Sequence, residues 1–252
     1  MNRDPSSIQA RTDDWLQTSL GSALLEREKA LVGDALESIF GIQLLQVGAW
    51  GANDSFVGLG NTRRAALVAP QAAEGVSIRS EPSRLGIASD SVDIVLLPHT
   101  LEYDPAPHDV LREVERVLVG EGHLVLLGFN PVGPVGLRRL LSFRGYPAGL
   151  SRLYTEGRVR DWLKLLGLDV VDARRYFFTA PVNSARLQQR LSGIETVGSR
   201  YWSKLSGAYM LVARKRVFTL TPVRPVWSRR RGLVGGLAKP SAMPSRRQGQ
   251  SR

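Results

Sequence analysis

Short apolar runs alternate with amphipathic stretches over most of this chain. The runs are rich in Val, Leu and Ile and are bounded by turn-forming residues, a pattern that is typical of buried β-strands. Five strands are predicted in the first half of the chain, at 42–48, 64–70, 75–80, 91–98 and 123–129. Two further strands are predicted at 168–178 and 207–217.

Helical periodicity fills the intervals between the strands. Segment 105–122 has the clearest pattern, and Gly120 is its predicted stop. Its apolar stripe consists of Val110, Leu111, Val114, Val117 and Leu118. A second helix is predicted at 155–167, with Thr155 as its N-cap. A longer helix, at 15–40, is predicted to lead into the first strand.

This order of elements predicts an α/β domain. Strands that are apolar throughout, with helices between them, are typical of a parallel sheet covered on both faces. A length of 252 residues suits one such domain with appendages. We expect a helical lead-in at 1–41, a main domain at 42–222 and a basic, disordered tail at 223–252.

The net charge of +11 belongs to the last quarter of the chain. Residues 196–252 hold 13 of the 34 Lys and Arg residues and none of the 23 acidic residues. A basic tail of this kind permits contact with nucleic acid, although no recognisable RNA-binding module accompanies it.

Composition also argues against several classes of protein and site. The chain has no cysteine, so disulfides, thiolate nucleophiles and thiolate metal sites are excluded. No apolar run approaches the roughly 20 residues that a membrane-spanning helix needs, and the polar N-terminus has no apolar signal-peptide core. We therefore expect a cytoplasmic protein with no membrane contact.

Three segments together carry a family resemblance. They are "LLQVGAWGA" at 44–52, "SRLGIASDSVDIVLLPHTLEY" at 83–103 and "VLREVERVLVGEGHLVLLGFNP" at 110–131. In order and spacing they resemble the class I S-adenosylmethionine-dependent methyltransferases, specifically the type 11 methyltransferase-domain family and its uncharacterised bacterial members. The resemblance implies a Rossmann-like fold, with a seven-stranded mixed sheet and helices on both faces. It also implies S-adenosyl-L-methionine as cofactor.

The first segment departs from the family's pattern of an acid followed by Gly-x-Gly-x-Gly. Gln46 stands in place of the acid, and Trp50 and Ala52 stand in place of the second and third glycines. The stretch "VAPQ" at 68–71 lacks the acid that the family uses for the ribose hydroxyls. Glu81 aligns with the family's adenine-contacting Asp.

The resemblance nevertheless selects candidates for cofactor binding. They are Gln46, Gly48, Trp50, Gly51, Glu81, Pro82 and Pro98. For Trp50 two alternatives stay open. The indole lies against the cofactor and gains about 0.5–2 kcal/mol of cation–π attraction, or it fills the pocket and no cofactor binds.

Catalytic candidates follow the fourth predicted strand, because ligands of open α/β sheets bind at the carboxyl ends of the strands. They are His99, Glu102 and Tyr103, with Asn130 after the next strand as a further candidate. Methyl transfer depends mainly on aligning the nucleophile, and a general base helps where the acceptor must lose a proton. His99 and Glu102 have no further His or Cys nearby in sequence, so no metal site is predicted.

The expected activity is S-adenosylmethionine-dependent methyl transfer to a small-molecule acceptor. One alternative is a non-catalytic binding protein with a degenerate methyltransferase fold, favoured by the altered glycine motif. Another is an RNA-directed methyltransferase that uses the basic tail. A nicotinamide dehydrogenase would need Gly-x-Gly-x-x-Gly and an acid after the second strand, and both are missing. The sequence selects neither the acceptor nor the oligomeric state.

Overall fold

A computed structural model describes residues 5–51, 56–71, 75–141, 150–178 and 206–217. These residues belong to one compact unit that ends at Val217. The predicted tail at 223–252 and most of the segment that joins the last two strands lie outside the described residues. None of the described helices is long and apolar enough to cross a membrane.

Within the described residues, seven strands form one sheet. They are β1 (Gln43–Val47), β2 (Arg64–Ala69), β3 (Ile78–Arg79), β4 (Val92–Pro98), β5 (Leu118–Phe129), β6 (Leu168–Tyr176) and β7 (Ala208–Lys215). The described helices are α1 (Pro5–Leu16), α2 (Ser19–Glu37), α3 (Thr100–Tyr103), α4 (Pro107–Val117), α5 (Pro134–Leu141) and α6 (Glu156–Leu165).

The strand order across the sheet is β3-β2-β1-β4-β5-β7-β6. Strand β7 runs antiparallel to both β5 and β6, whereas the pairs among the first five strands are parallel. The seven-stranded mixed sheet predicted from the sequence is thereby confirmed. Successive strands are added on one side of β1 and then, from β4 onward, on the other, so a topological switch point lies between β1 and β4.

Each face of the sheet is covered by its own apolar layer. On one face the strands pack with the helical lead-in, through residues such as Trp15 and Leu24. On the other face they pack with α4 and α6, through residues such as Leu111 and Leu163. The stripe predicted on 105–122 is buried along α4, which explains why this helix lies flat on the sheet.

Two predicted boundaries were wrong. The single helix expected at 15–40 is two helices, because Thr18 adopts an extended conformation and its side chain caps α2. The helix expected to stop at Gly120 ends at Val117, and β5 begins immediately at Leu118. Leu118 pairs with Val92 and so joins the sheet. The helical periodicity of the sequence does not reveal such a tertiary contact.

Asp93 fastens β4 to the start of β1. One carboxylate oxygen accepts hydrogen bonds from the backbone N–H groups of Ile42 and Gln43, both at 2.9 Å. Because these two donors precede Leu44, the first residue of β1 that pairs with β4, the carboxylate fixes where β1 meets β4.

We expect Asp93→Ala to lower the free energy of unfolding by about 1–3 kcal/mol, because two backbone donors lose their acceptor. Asp93→Asn keeps a carbonyl acceptor and should lose less. Urea unfolding of the two variants beside the wild type measures the difference. Equal stability of all three proteins would show that this carboxylate does not hold β1.

Candidate functional site

A cavity of about 420 Å³ opens at the carboxyl ends of β1, β2 and β4. This volume lies within the range of pockets that bind small molecules. Residues after each of these three strands contribute to its wall, as do two residues of α1, Gln9 and Thr12. The cavity therefore occupies the switch point of the sheet, where open α/β folds bind their ligands.

Gly48 forms the floor of the cavity at the end of β1. Its φ is +95°, a conformation that residues with a Cβ seldom adopt. A Cβ added here would lie 2.6 Å from Oγ1 of Thr100. That hydroxyl donates to the carbonyl of Val47 at 2.5 Å, so β1 and α3 meet at this point. Glycine is thus required at position 48 for two reasons: its φ is positive, and a Cβ would collide with Thr100.

The two residues beside Gly48 in the motif have different places. Gln46 is buried beneath the turn, and its amide donates to the carbonyl of Gly48 at 3.0 Å. Gly51 has a φ of +74° and stands at the edge of the described residues. Ala52, the position of the third family glycine, lies outside them. The amide of Gln46 therefore supports the turn from below.

Carboxylates rather than basic groups give the cavity its charge. Glu81 and Asp104 both contribute to the wall, and no Lys or Arg does so among the described lining residues. Burial raises the pKa of Asp104, a backbone hydrogen bond from Ala106 opposes this, and the neighbouring Glu81 raises it further. Pro82 and Pro98 supply apolar wall beside these groups.

Trp50 turns away from the cavity and into the core. Its side chain is 1% exposed, and Nε1 donates to Oε2 of Glu28 at 2.7 Å. The indole lies against the ring of His99, with centroids 4.3 Å apart. The described wall of the cavity does not include Trp50. The bulky residue at the second glycine position consequently leaves the cavity open.

A buried polar cluster lies behind the cavity. We call it the Glu28 cluster, and it comprises Glu28, Trp50, His99 and Tyr176. Nε2 of His99 lies 2.8 Å from Oε1 of Glu28, and the hydroxyl of Tyr176 donates to the same oxygen at 2.9 Å. Both oxygens of this fully buried carboxylate are therefore satisfied by hydrogen bonds.

His99 adopts a left-handed conformation, with a φ of 54°, between β4 and α3. Its ring stacks on Phe129 with centroids 4.0 Å apart. Burial by itself would lower the pKa of His99, but Glu28 and Glu102, whose Oε1 lies 3.7 Å from Nδ1, raise it to about 9. The imidazole is therefore positively charged at neutral pH.

A sequence match supports a family assignment for this region. Residues 48–126 match a family described as a methyltransferase domain. The match begins at the glycine turn and extends into β5, so it includes both sides of the switch point. This part of the chain is therefore similar to a methyltransferase domain.

Similar proteins are found among curated sequences and solved structures. The uncharacterized protein YafS of Escherichia coli (strain K12) is 38% identical over 147 residues, which is 58% of this chain and 58% of that protein. The 1,6-didemethyltoxoflavin-N1-methyltransferase of Burkholderia thailandensis was solved with bound 1,6-didemethyltoxoflavin and S-adenosylhomocysteine. It is 17% identical, with a TM-score of 0.52 over 84% of this chain and 85% of that one.

A third similar structure is that of a cyclase. The [4+2]-cyclase SpnF is 17% identical, with a TM-score of 0.52 over 76% of this chain and 81% of that one. At such identities the likeness to solved structures establishes the fold alone. The activity of this chain therefore depends on the residues of its own site.

The predicted catalytic residues lie at two depths. Tyr103 contributes to the cavity wall, and its hydroxyl accepts a hydrogen bond from Thr12 at 3.3 Å. Burial raises the pKa of Tyr103 well above its ordinary value. His99 and Glu102 lie behind the wall, and Asn130 caps a turn by accepting from the N–H of Val132 at 3.1 Å.

Glu102 connects three segments around the cavity. Its carboxylate accepts from the N–H of Phe129 at 2.7 Å. Its backbone carbonyl accepts from both the N–H and the hydroxyl of Ser151, at 2.8 and 2.7 Å. Ser151 in turn contributes to the cavity wall. The residue thus holds α3, β5 and the segment before α6 together.

Several residues of the site were absent from the sequence-based candidates. The family pattern did not point to Thr100 or Asp104, nor to Gln71, which follows β2 and contributes to the cavity wall. Glu28 could have been found from the sequence, because it interrupts the apolar face of α2 between Leu24 and Leu31. A lone carboxylate on such a face indicates a buried partner.

The charge on His99 predicts a pH dependence of stability. The folded protein keeps this proton up to a pKa of about 9, whereas an unfolded histidine loses it near 6.5. The folded state then binds more protons between these values, so the free energy of unfolding should fall as pH rises through them, by up to about 3 kcal/mol. Below pH 6.5 the full contribution is present. The groups that face the imidazole are Glu28, Glu102 and the rings of Trp50 and Phe129.

Urea unfolding at intervals from pH 6 to pH 10 measures this effect when wild type is compared with His99→Gln. The other titrating groups are common to both proteins, so the difference between the two curves isolates the imidazole. We expect the difference to shrink as pH rises toward 9. Parallel curves would mean that His99 is neutral in the folded state.

Proposed function

We propose that the domain binds S-adenosyl-L-methionine in the cavity and transfers its methyl group to a small molecule. The observation that carries the proposal is the open cavity at the switch point, floored by Gly48 and lined by Glu81 and Asp104. Trp50 could have blocked it but is held in the core. The altered glycine motif is therefore compatible with a bound cofactor.

The residues present fit this cofactor in size and charge. A volume of about 420 Å³ accommodates a molecule of this class. Its sulfonium is a cation, and the cavity offers two carboxylates and no basic side chain among the described lining residues. At the end of β2, the amide of Gln71 can exchange hydrogen bonds with the ribose hydroxyls in place of the usual acid.

When bound, the cofactor supplies an already activated methyl group, so the protein's task is to orient the acceptor and exclude water. Gly48 lets the backbone approach closely, and Pro98 and Thr100 shape the adjacent wall. Tyr103 offers a protonated hydroxyl that can hold an acceptor atom in place. His99 and Glu102 act from behind by fixing α3 and the neighbouring segment.

A small-molecule acceptor suits the geometry of the entrance. Helix α1 contributes Gln9 and Thr12 to the wall, so part of the cavity is roofed by the chain's own N-terminal helix. A narrow, partly roofed cavity admits a small molecule more readily than a polymer. The Burkholderia relative, which shares the fold, was solved with a small molecule beside its cofactor product.

Gly48→Ala should weaken binding of S-adenosylmethionine and S-adenosylhomocysteine about tenfold or more. The added Cβ meets Thr100 at 2.6 Å, and the positive φ adds strain. Gly58→Ala is the matched control, because no atom lies within 4 Å of its added Cβ. Isothermal titration measures both. Wild type that binds neither ligand would refute the proposed function, and unaltered binding by Gly48→Ala would remove the turn from the site.

Glu81→Gln should weaken binding of S-adenosylmethionine and of S-adenosylhomocysteine by similar factors, of about threefold. The family resemblance implies that Glu81 contacts the adenine, which both ligands carry, and the side chain is exposed. Isothermal titration at low salt measures both affinities, with the exposed Glu26→Gln as control. A loss confined to S-adenosylmethionine would place Glu81 beside the sulfonium instead.

The alternative is a non-catalytic binding protein, which the altered glycine motif at 44–52 favours. Ligand binding does not distinguish the two functions. Incubation with methyl-labelled S-adenosylmethionine and a panel of small-molecule amines, phenols and carboxylic acids does so. Transfer of label that is lost in Gly48→Ala supports the methyltransferase, whereas tight binding with no transfer to any acceptor supports the alternative.

A further inference from the structure

Glu28 is a buried carboxylate on a helix that is otherwise apolar on this face. It is 0% exposed and packs between Leu24 and Leu31 of α2. Removing such a group from water costs several kcal/mol unless partners replace its hydration. The three groups that bind the carboxylate replace this hydration.

The partners of Glu28 come from the ends of three different strands. Trp50 follows β1, His99 follows β4, and Tyr176 ends β6. Their hydrogen bonds to the carboxylate measure 2.7, 2.8 and 2.9 Å. Since β5 and β7 lie between β4 and β6, one side chain of α2 joins the adjacent ends of β1 and β4 to a strand that does not neighbour them.

These partners alternate with residues of the cavity wall. Gly48 and Ala49 directly precede Trp50, and Pro98 and Thr100 flank His99; all four contribute to the wall. The hydrogen bonds that hold the rings of Trp50 and His99 in the core therefore also hold the neighbouring backbone at the cavity wall. The indole must also be accommodated in the core, because Trp50 stands where the family that this chain resembles has a glycine.

We propose that Glu28 is a positioning residue for the cofactor site, which anchors Trp50 and His99 in the core and so keeps the Gly48 turn open. The assignment rests on the proposed function. Through the Glu28 cluster, the lead-in helix α2 becomes part of the cofactor site without touching it. The Glu28 cluster also explains how a tryptophan can stand at the second glycine position of the motif while the cavity stays open.

The first test compares Glu28→Gln with Glu26→Gln on the same helix. Glu26 is exposed and pairs only with Lys29 among the described residues. Binding of S-adenosylhomocysteine is titrated at a temperature where circular dichroism shows every variant folded. We expect Glu28→Gln to weaken binding at least tenfold and Glu26→Gln to alter it less than twofold. Equal binding by folded Glu28→Gln overturns the assignment.

A double-mutant cycle separates positioning from general destabilisation. Trp50→Phe removes the indole donor while keeping an aromatic ring. If Glu28 acts through Trp50, the two substitutions together should weaken S-adenosylhomocysteine binding by clearly less than the product of their separate effects. Effects that multiply would show that Glu28 acts independently of Trp50 and would overturn the assignment.

A measurement on wild type serves where Glu28→Gln does not fold. The indole N–H signal of Trp50, assigned by its loss in Trp50→Phe, should be protected from hydrogen exchange before any ligand is added. Protection that appears only with S-adenosylhomocysteine would mean that Glu28 does not hold the loop and would overturn the assignment. A wild type that does not bind the ligand at all refutes the proposed function instead, and the assignment with it.

Discussion

The rest of the site depends on a single buried carboxylate. Glu28 receives hydrogen bonds from an indole, an imidazole and a phenol that arrive from three strand ends. A buried charge is costly on its own, so these four groups stabilise the fold only as a set. Because each group depends on the others, the four groups adopt one arrangement. That arrangement also fixes the positions of the strand ends that form the cavity.

The cavity itself is built mainly from backbone and small side chains. Gly48 brings the chain close to the switch point, and Thr100 closes the gap between β1 and α3 through one short hydrogen bond. Large rings, such as Trp50 and Phe129, lie one layer deeper. This division leaves an open space above a rigid, aromatic base, and rigid support of this kind keeps a binding site preorganised.

Much of the fold could be predicted from sequence because its strands are apolar runs and α4 carries an unbroken stripe. The position of the cavity followed from the glycine turn and the strand order. The direction of Trp50 could not be predicted, since it depends on Glu28, which is 22 positions away in sequence. The end of α4 was missed for a similar reason: Leu118 leaves the helix to pair with Val92 of another strand.

We propose that the turn at Gly48 serves as a cofactor site because Trp50 is anchored beneath it. A crystal structure of the protein with S-adenosylhomocysteine would test this proposal. We expect the ligand in the cavity, against Gly48 and Glu81, with the indole N–H of Trp50 still bound to Glu28. A ligand bound elsewhere, or an indole that has left Glu28 to contact the ligand, would contradict it.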